Sequence, residues 1–174
     1  MNMESSQERT FFNGGSIVWG VQSTDKYAAI REIISRSQVL RSVPDLHLDH
    51  FADVVIEREK ISSTGFGHGV AVAHGRTPEV SGPQITLGIS REGIDYNAVD
   101  GRPVQLLFIV ANHPDQQMDY LKILSALVSI VRDDAFRQEL LDCFTEADLE
   151  AKLCSAFTSV MNKTKYQADF SASA

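Results

Sequence analysis

The 174-residue sequence is poor in cysteine, poor in clustered positive charge and free of long apolar runs, and each shortage closes off a class of function. Its two cysteines, Cys143 and Cys154, make no CxxC pair and belong to no metal-type cluster, so they read as buried or incidental thiols rather than a disulfide framework or zinc site. Sixteen Lys and Arg stand against 23 Asp and Glu, for a net charge of -7. That balance argues against a nucleic-acid surface, because binding a phosphate backbone needs clustered Lys and Arg. No stretch approaches the roughly 20 apolar residues that span a bilayer. The opening MNMESSQERT has no hydrophobic signal core, so the expectation is a cytoplasmic protein without membrane insertion. Internal repeats and low-complexity segments are also missing.

What is present is a 43% hydrophobic composition, enough for one substantial core and one domain. Residues 15–162 read as that domain, with flexible ends at 1–14 and 163–174, although Phe11 and Phe12 are candidates to pack on it. SIVWGV reads as a strand. Ser23-Thr24-Asp25 then offers a cap for a helix carrying Tyr27, Ala28, Ile30, Ile33 and Ile34. A second helix is expected to start at Pro44-Asp45, bury Leu48, Phe51, Val54 and Val55, and end near Arg58 and Glu59. Strands are expected at about 70–73, 84–90 and 104–111, followed by a helix at about 117–131 and two more. The strand-helix opening marks an α/β domain.

The run from Arg58 to Arg76, REKISSTGFGHGVAVAHGR, carries the chemistry. Gly65, Gly67 and Gly69 allow unusual backbone angles and let amides approach an anion. Val70–Ala73 read as a buried strand that ends at His74, whose imidazole is a competent nucleophile near neutral pH. Arg58, and with it Arg76, supplies fixed positive charge for phosphate oxygens, and Ser63 and Thr64 add hydroxyl donors. The plain alternatives are a strand-end histidine and a helix-end cation answering the macrodipole.

These residues resemble the enzyme IIA domain of the fructose, mannitol and nitrogen-regulatory type from the bacterial phosphotransferase system. That family's pattern runs R-E, three residues, then S-T-G-x-G-x-G-x-A-x-P-H, and Arg58, Glu59, Ser63, Thr64, Gly65, Gly67, Gly69, Ala71 and His74 fall on it. Downstream, GISREGIDYNAVDGRPVQLLFIVA resembles the family's turn-and-strand segment, with Asp100-Gly101 at the turn, and the likeness covers roughly residues 15 to 160. It implies a single-domain α/β fold, a mixed β-sheet flanked by helices on both faces. It also implies a phosphoryl carrier that accepts phosphate on His74 from a histidine phosphocarrier protein, with Arg58 stabilising the phosphoryl group and no soluble cofactor. The acceptor would be a IIB-type domain or a regulatory target, as in the freestanding nitrogen-regulatory branch that the chain most resembles.

Two positions depart from the pattern: Ala73 replaces the proline before the histidine, and Tyr120 stands where many members place a second histidine. A tyrosine donates a hydrogen bond without bringing charge, so Tyr120 is either a neutral phosphoryl donor or an ordinary helix-start aromatic. Both departures favour regulation or slow transfer over high sugar flux. The second hypothesis is accordingly a catalytically weakened regulatory protein-binding module. A third, a metal site built from His68, His74 and His113, sits badly with a glycine-rich backbone and adjacent arginines, and His47 and His50 with Asp45 and Asp49 read as a solvated helix face. The expectation is no metal. Glu59 is read as orienting Arg58, capping local amides or forming an ion pair.

Overall fold

A computed structural model describes residue 12 and residues 14–171, the last eight by backbone alone. Its centre is a five-stranded mixed sheet in the order β1-β4-β5-β3-β2, from β1 (Ile17–Val18), β2 (Gly65–Gly67), β3 (Val70–Arg76), β4 (Gln84–Ile94) and β5 (Val104–Asn112). β3 runs parallel to β5 and β1 parallel to β4, while β4–β5 and β2–β3 are antiparallel. Helices α1 (Lys26–Arg36), α2 (Gln38–Arg41) and α3 (Leu48–Ile61) supply the helical part of one core layer. Helices α4 (Gln117–Val131), α5 (Asp134–Leu141) and α6 (Glu146–Ser171) supply that of the other. The expected α/β sheet with helices on both faces is the one observed.

Side chains on β3 sort by the twofold period of a strand. Ala71 and Ala73 enter the core with α1 and α3, whereas Val70 and Val72 enter the core with α4 and α6. On α3, Phe51, Ala52, Val55, Ile56 and Glu59 form one buried stripe at helical spacing, so a glutamate occupies a core position.

The local signals served well where capping chemistry was explicit. Asp25 caps α1, its carboxylate accepting from the Ala28 amide at 3.0 Å, and α4 has the expected bounds. Four expectations need correction. The SIVWGV strand shrinks to β1, because Gly20 turns the chain at a φ of 66°. The second helix begins at Leu48 rather than at Pro44-Asp45, because Asp45 adopts a left-handed φ of 64° incompatible with a helix. β3 does not stop at Ala73 but continues through His74 to Arg76. Helix α6 runs to Ser171, so residues 163–171 are helical where a loose tail was expected.

The short α2 was not foreseen. Ser37 both ends α1 and caps α2, accepting from the Leu40 amide. At the other terminus Phe12 is buried edge-on against Phe157, with ring centroids 5.4 Å apart. Residues 1–11 and 13, including Phe11, lie outside the described residues.

Candidate functional site

His74 and Arg76 lie two residues apart on β3 and therefore share a face, His74 in register with Val110 and Arg76 with Asn112 of β5. Between them Gly75 points the opposite way, under α3. A Cβ on Gly75 would come within 2.9 Å of both Phe51 and Val55 and 3.3 Å of Val54. This glycine is what allows α3 to lie against β3 at this height. The resulting approach delivers the last turn of α3, with Arg58, to the imidazole. Gly75 interrupted the sequence pattern of a strand, which is why the strand was read as ending three residues early, at Ala73 rather than Arg76.

From the other layer, the first turn of α4 contributes Tyr120. Its hydroxyl lies 2.9 Å from Nδ1 of His74, and the two rings sit 4.5 Å apart at a tilt of 33°. The geometry thus occupies one ring nitrogen and leaves Nε2 without a hydrogen-bond partner among the described residues. Tyr120 meets the imidazole itself, an arrangement intermediate between the two sequence expectations for this residue.

Burial, and then the charges of Arg58 and Arg76, hold the His74 pKa down to about 4. The imidazole is therefore neutral at physiological pH, with a lone pair available on one nitrogen. Burial raises the Tyr120 pKa against the opposing pull of Arg58, so its hydroxyl keeps its proton. Among the described residues neither Arg58 nor Arg76 forms an ion pair, and Arg58 makes only a long 3.4 Å bond to the Ser62 carbonyl. Two arginines without counter-ions thus stand beside a neutral imidazole in a chain of net charge -7, and guanidinium groups so placed can receive an anion.

The hydroxyls expected to face an anion have protein partners instead. Ser63 donates to the Tyr96 carbonyl and accepts from the Gly65 amide. Thr64 gives its amide and its hydroxyl to the Glu59 carboxylate. Gly65 is glycine for a packing reason: a Cβ there would lie 2.9 Å from that of Ala98 and 3.0 Å from the Tyr96 ring. The segment read as an anion-binding glycine loop is thus a sheet edge, β2, whose backbone groups are largely committed.

His68 lies at the far end of β3 from His74, in a left-handed turn at a φ of 59°, its amide held by Asp100 at 2.8 Å. There it lines a cleft of about 380 Å³ with Arg102, Gln105 and Arg137, apart from the imidazole site. His113 sits in a loop beside Asp115. No group of three His, Cys, Asp or Glu side chains suited to a metal occurs among the described residues, and His68, His74 and His113 do not form one. Sequence reasoning missed Gly75 and Tyr96. The buried stripe of α3, with Glu59 at its end, was a legible signal for the anchoring of Thr64.

The family model for the phosphoenolpyruvate-dependent sugar phosphotransferase system, EIIA 2, matches residues 10–155. A fructose-specific EIIABC component of the system from Bacillus subtilis is 30% identical over 131 residues, which is 75% of this chain and 20% of that protein. The chain therefore spans about a fifth of that relative's length. The nitrogen regulatory protein IIA-Ntr of Neisseria meningitidis superposes with a TM-score of 0.73 at 27% identity, over 80% of this chain and 93% of that one. The IIA mannitol domain of Escherichia coli shares the fold with a TM-score of 0.65 at 16% identity, over 83% of this chain and 97% of that one.

Proposed function

The chain belongs to the EIIA 2 family of the phosphoenolpyruvate-dependent sugar phosphotransferase system, and on that premise we propose that it carries a phosphoryl group on Nε2 of His74. The observation that bears this reading is the pair of arginines without ion-pair partners beside a neutral imidazole whose other nitrogen is already held. With Nδ1–H donating to the Tyr120 oxygen, the lone pair sits on Nε2. Nε2 attacks the phosphorus of a phosphohistidine on the phosphocarrier protein, the phosphorus–nitrogen bond there breaks, and its electron pair returns to the donor imidazole. Positive charge that develops on the His74 ring is shared along Nδ1–H toward Tyr120. Arg58 and Arg76 meet the equatorial oxygens, and positioned charge of this kind is most of what phosphoryl transfer asks of a protein.

Ser63, Thr64 and Gly65 serve by building the corner behind Arg58. Exposed apolar side chains flank the machinery in sequence, Met118 and Leu121 around Tyr120 and Ile61 just after Arg58, and suit a protein partner better than a small molecule. The donor is a histidine phosphocarrier, and the acceptor is a IIB-type domain or a regulatory target. Among the described residues no helix is long and apolar enough to cross a membrane, in keeping with a cytoplasmic carrier.

Intact-mass and acid-lability analysis after incubation with phosphoenolpyruvate, enzyme I and the phosphocarrier protein tests this. One acid-labile phosphate on the wild type, absent from His74→Ala, is the expected result. An unlabelled, folded wild type beside a labelled control enzyme IIA would leave a regulatory binding module as the better reading.

A further inference from the structure

A buried carboxylate is costly unless it is paired and hydrogen-bonded, and Glu59, at 2% exposure on the apolar stripe of α3, is fully engaged. Its Oε1 accepts from the Thr64 amide at 3.0 Å and faces the Lys26 ammonium at 3.5 Å. Its Oε2 accepts from the Thr64 hydroxyl at 2.7 Å. Because the one hydroxyl hydrogen of Thr64 goes to the carboxylate, the Tyr96 phenol 3.1 Å away donates to Thr64. Lys26 is in turn held over the rings of Tyr27 and Tyr96, at 5.2 and 5.5 Å.

This knot closes the turn by which the chain leaves α3 and enters β2. Ser62, the last residue of α3's cap, is extended, and the side chain of Glu59 does the joining by reaching five residues ahead. Arg58 is the residue before Glu59, and its guanidinium rests on the Ser62 carbonyl inside the same turn. The pairing with Lys26 has a second effect. It satisfies one of the two carboxylates adjacent in sequence to Arg58, and Lys60 pairs with the other, Glu57, at 2.7 Å, so that the positive charge of Arg58 stays available to the imidazole face.

We infer that Glu59 and Lys26 are positioning residues for transfer at His74: Glu59 fixes the α3–β2 corner from which Arg58 reaches the imidazole, and Lys26 keeps the Glu59 charge from answering Arg58. The inference rests on the carrier function proposed for His74 but is tested separately from it. The experiment combines labelling kinetics with an NMR titration of His74 in the wild type, Glu59→Gln, Lys26→Met, Lys26→Arg and the Glu59→Gln/Lys26→Met double variant.

Folded Glu59→Gln is expected to lose at least about tenfold in kcat, with KM for the phosphocarrier within about twofold of wild type. Its His74 pKa should rise from about 4 as Arg58 loosens. Lys26→Met should do the same, Lys26→Arg should restore the wild-type values, and the double variant should be little worse than Glu59→Gln alone. Wild-type kcat and an unmoved His74 titration in folded Lys26→Met would overturn the inference, as would additive losses in the double variant. If Glu59→Gln does not fold, the two Lys26 variants decide. If the wild type takes no phosphate, the carrier function fails, and the titrations alone decide whether the pair positions Arg58.

Discussion

The Tyr120 hydroxyl and the Nδ1 atom of His74, 46 residues apart in the chain, meet at 2.9 Å. In the tautomer in which Nδ1–H donates to the Tyr120 oxygen, that bond leaves the lone pair on Nε2. Tyr120→Phe keeps the ring packing and deletes the oxygen, so the neutral imidazole loses its tautomer preference. Loss of one neutral hydrogen bond, on the order of 1 kcal/mol, corresponds to a labelling rate about three- to tenfold lower. Nitrogen-15 shifts of the ring should report a mixed tautomer population in the same variant. A wild-type tautomer ratio in Tyr120→Phe would sink this account of Tyr120.

Acid titration gives a second expectation. Because burial and the two arginines lower the folded-state pKa of His74 from 6.5 to about 4, the unfolded chain binds more protons there between those values. The contribution of this residue therefore makes stability rise with pH across that window and makes it fall as pH drops toward 4. His74→Gln should flatten that part of the stability profile in denaturant titrations at pH 4, 5, 6 and 7. A His74 resonance titrating at 6.5 in the folded protein would contradict the expectation directly.

Arg58→Ala should slow labelling roughly a hundredfold, the scale of removing one preorganised donor from a developing charge. Arg58→Lys should recover only part of it, since an ammonium cannot present the planar fork. In both variants stopped-time labelling measures the rate. Arg58→Ala should also raise the His74 pKa, because the guanidinium is one cause of its depression.

Gly75→Ala places a methyl against Phe51 and Val55 at 2.9 Å. Overpacking of this kind costs about 1–3 kcal/mol, so chemical denaturation should show a lower midpoint, with labelling also reduced as α3 shifts Arg58. An unchanged midpoint would mean that the helix has room to yield.

Much of this arrangement was legible in the chain. The spacing from Arg58 to His74 brought the two together before any coordinates, because it is built into the helix, corner and hairpin between them. Asp25 announced α1 through capping chemistry. Other features depend on distances that no local pattern encodes. Gly75 looks like a strand terminator until Phe51 and Val55 are seen beneath it, and the hydroxyl of Ser63 looks like a free donor until the Tyr96 carbonyl arrives from 33 residues further on. The Tyr120 contact required knowing how deeply the first turn of α4 descends beside β3.

The site borrows from both sides of the sheet, Arg58 and its Glu59 anchor from the layer of α1–α3, Tyr120 from the layer of α4–α6. Substitutions on the two sides can thus accumulate by separate histories. The residue that touches the ring at position 120 can be exchanged without disturbing the corner that holds the guanidinium at position 58.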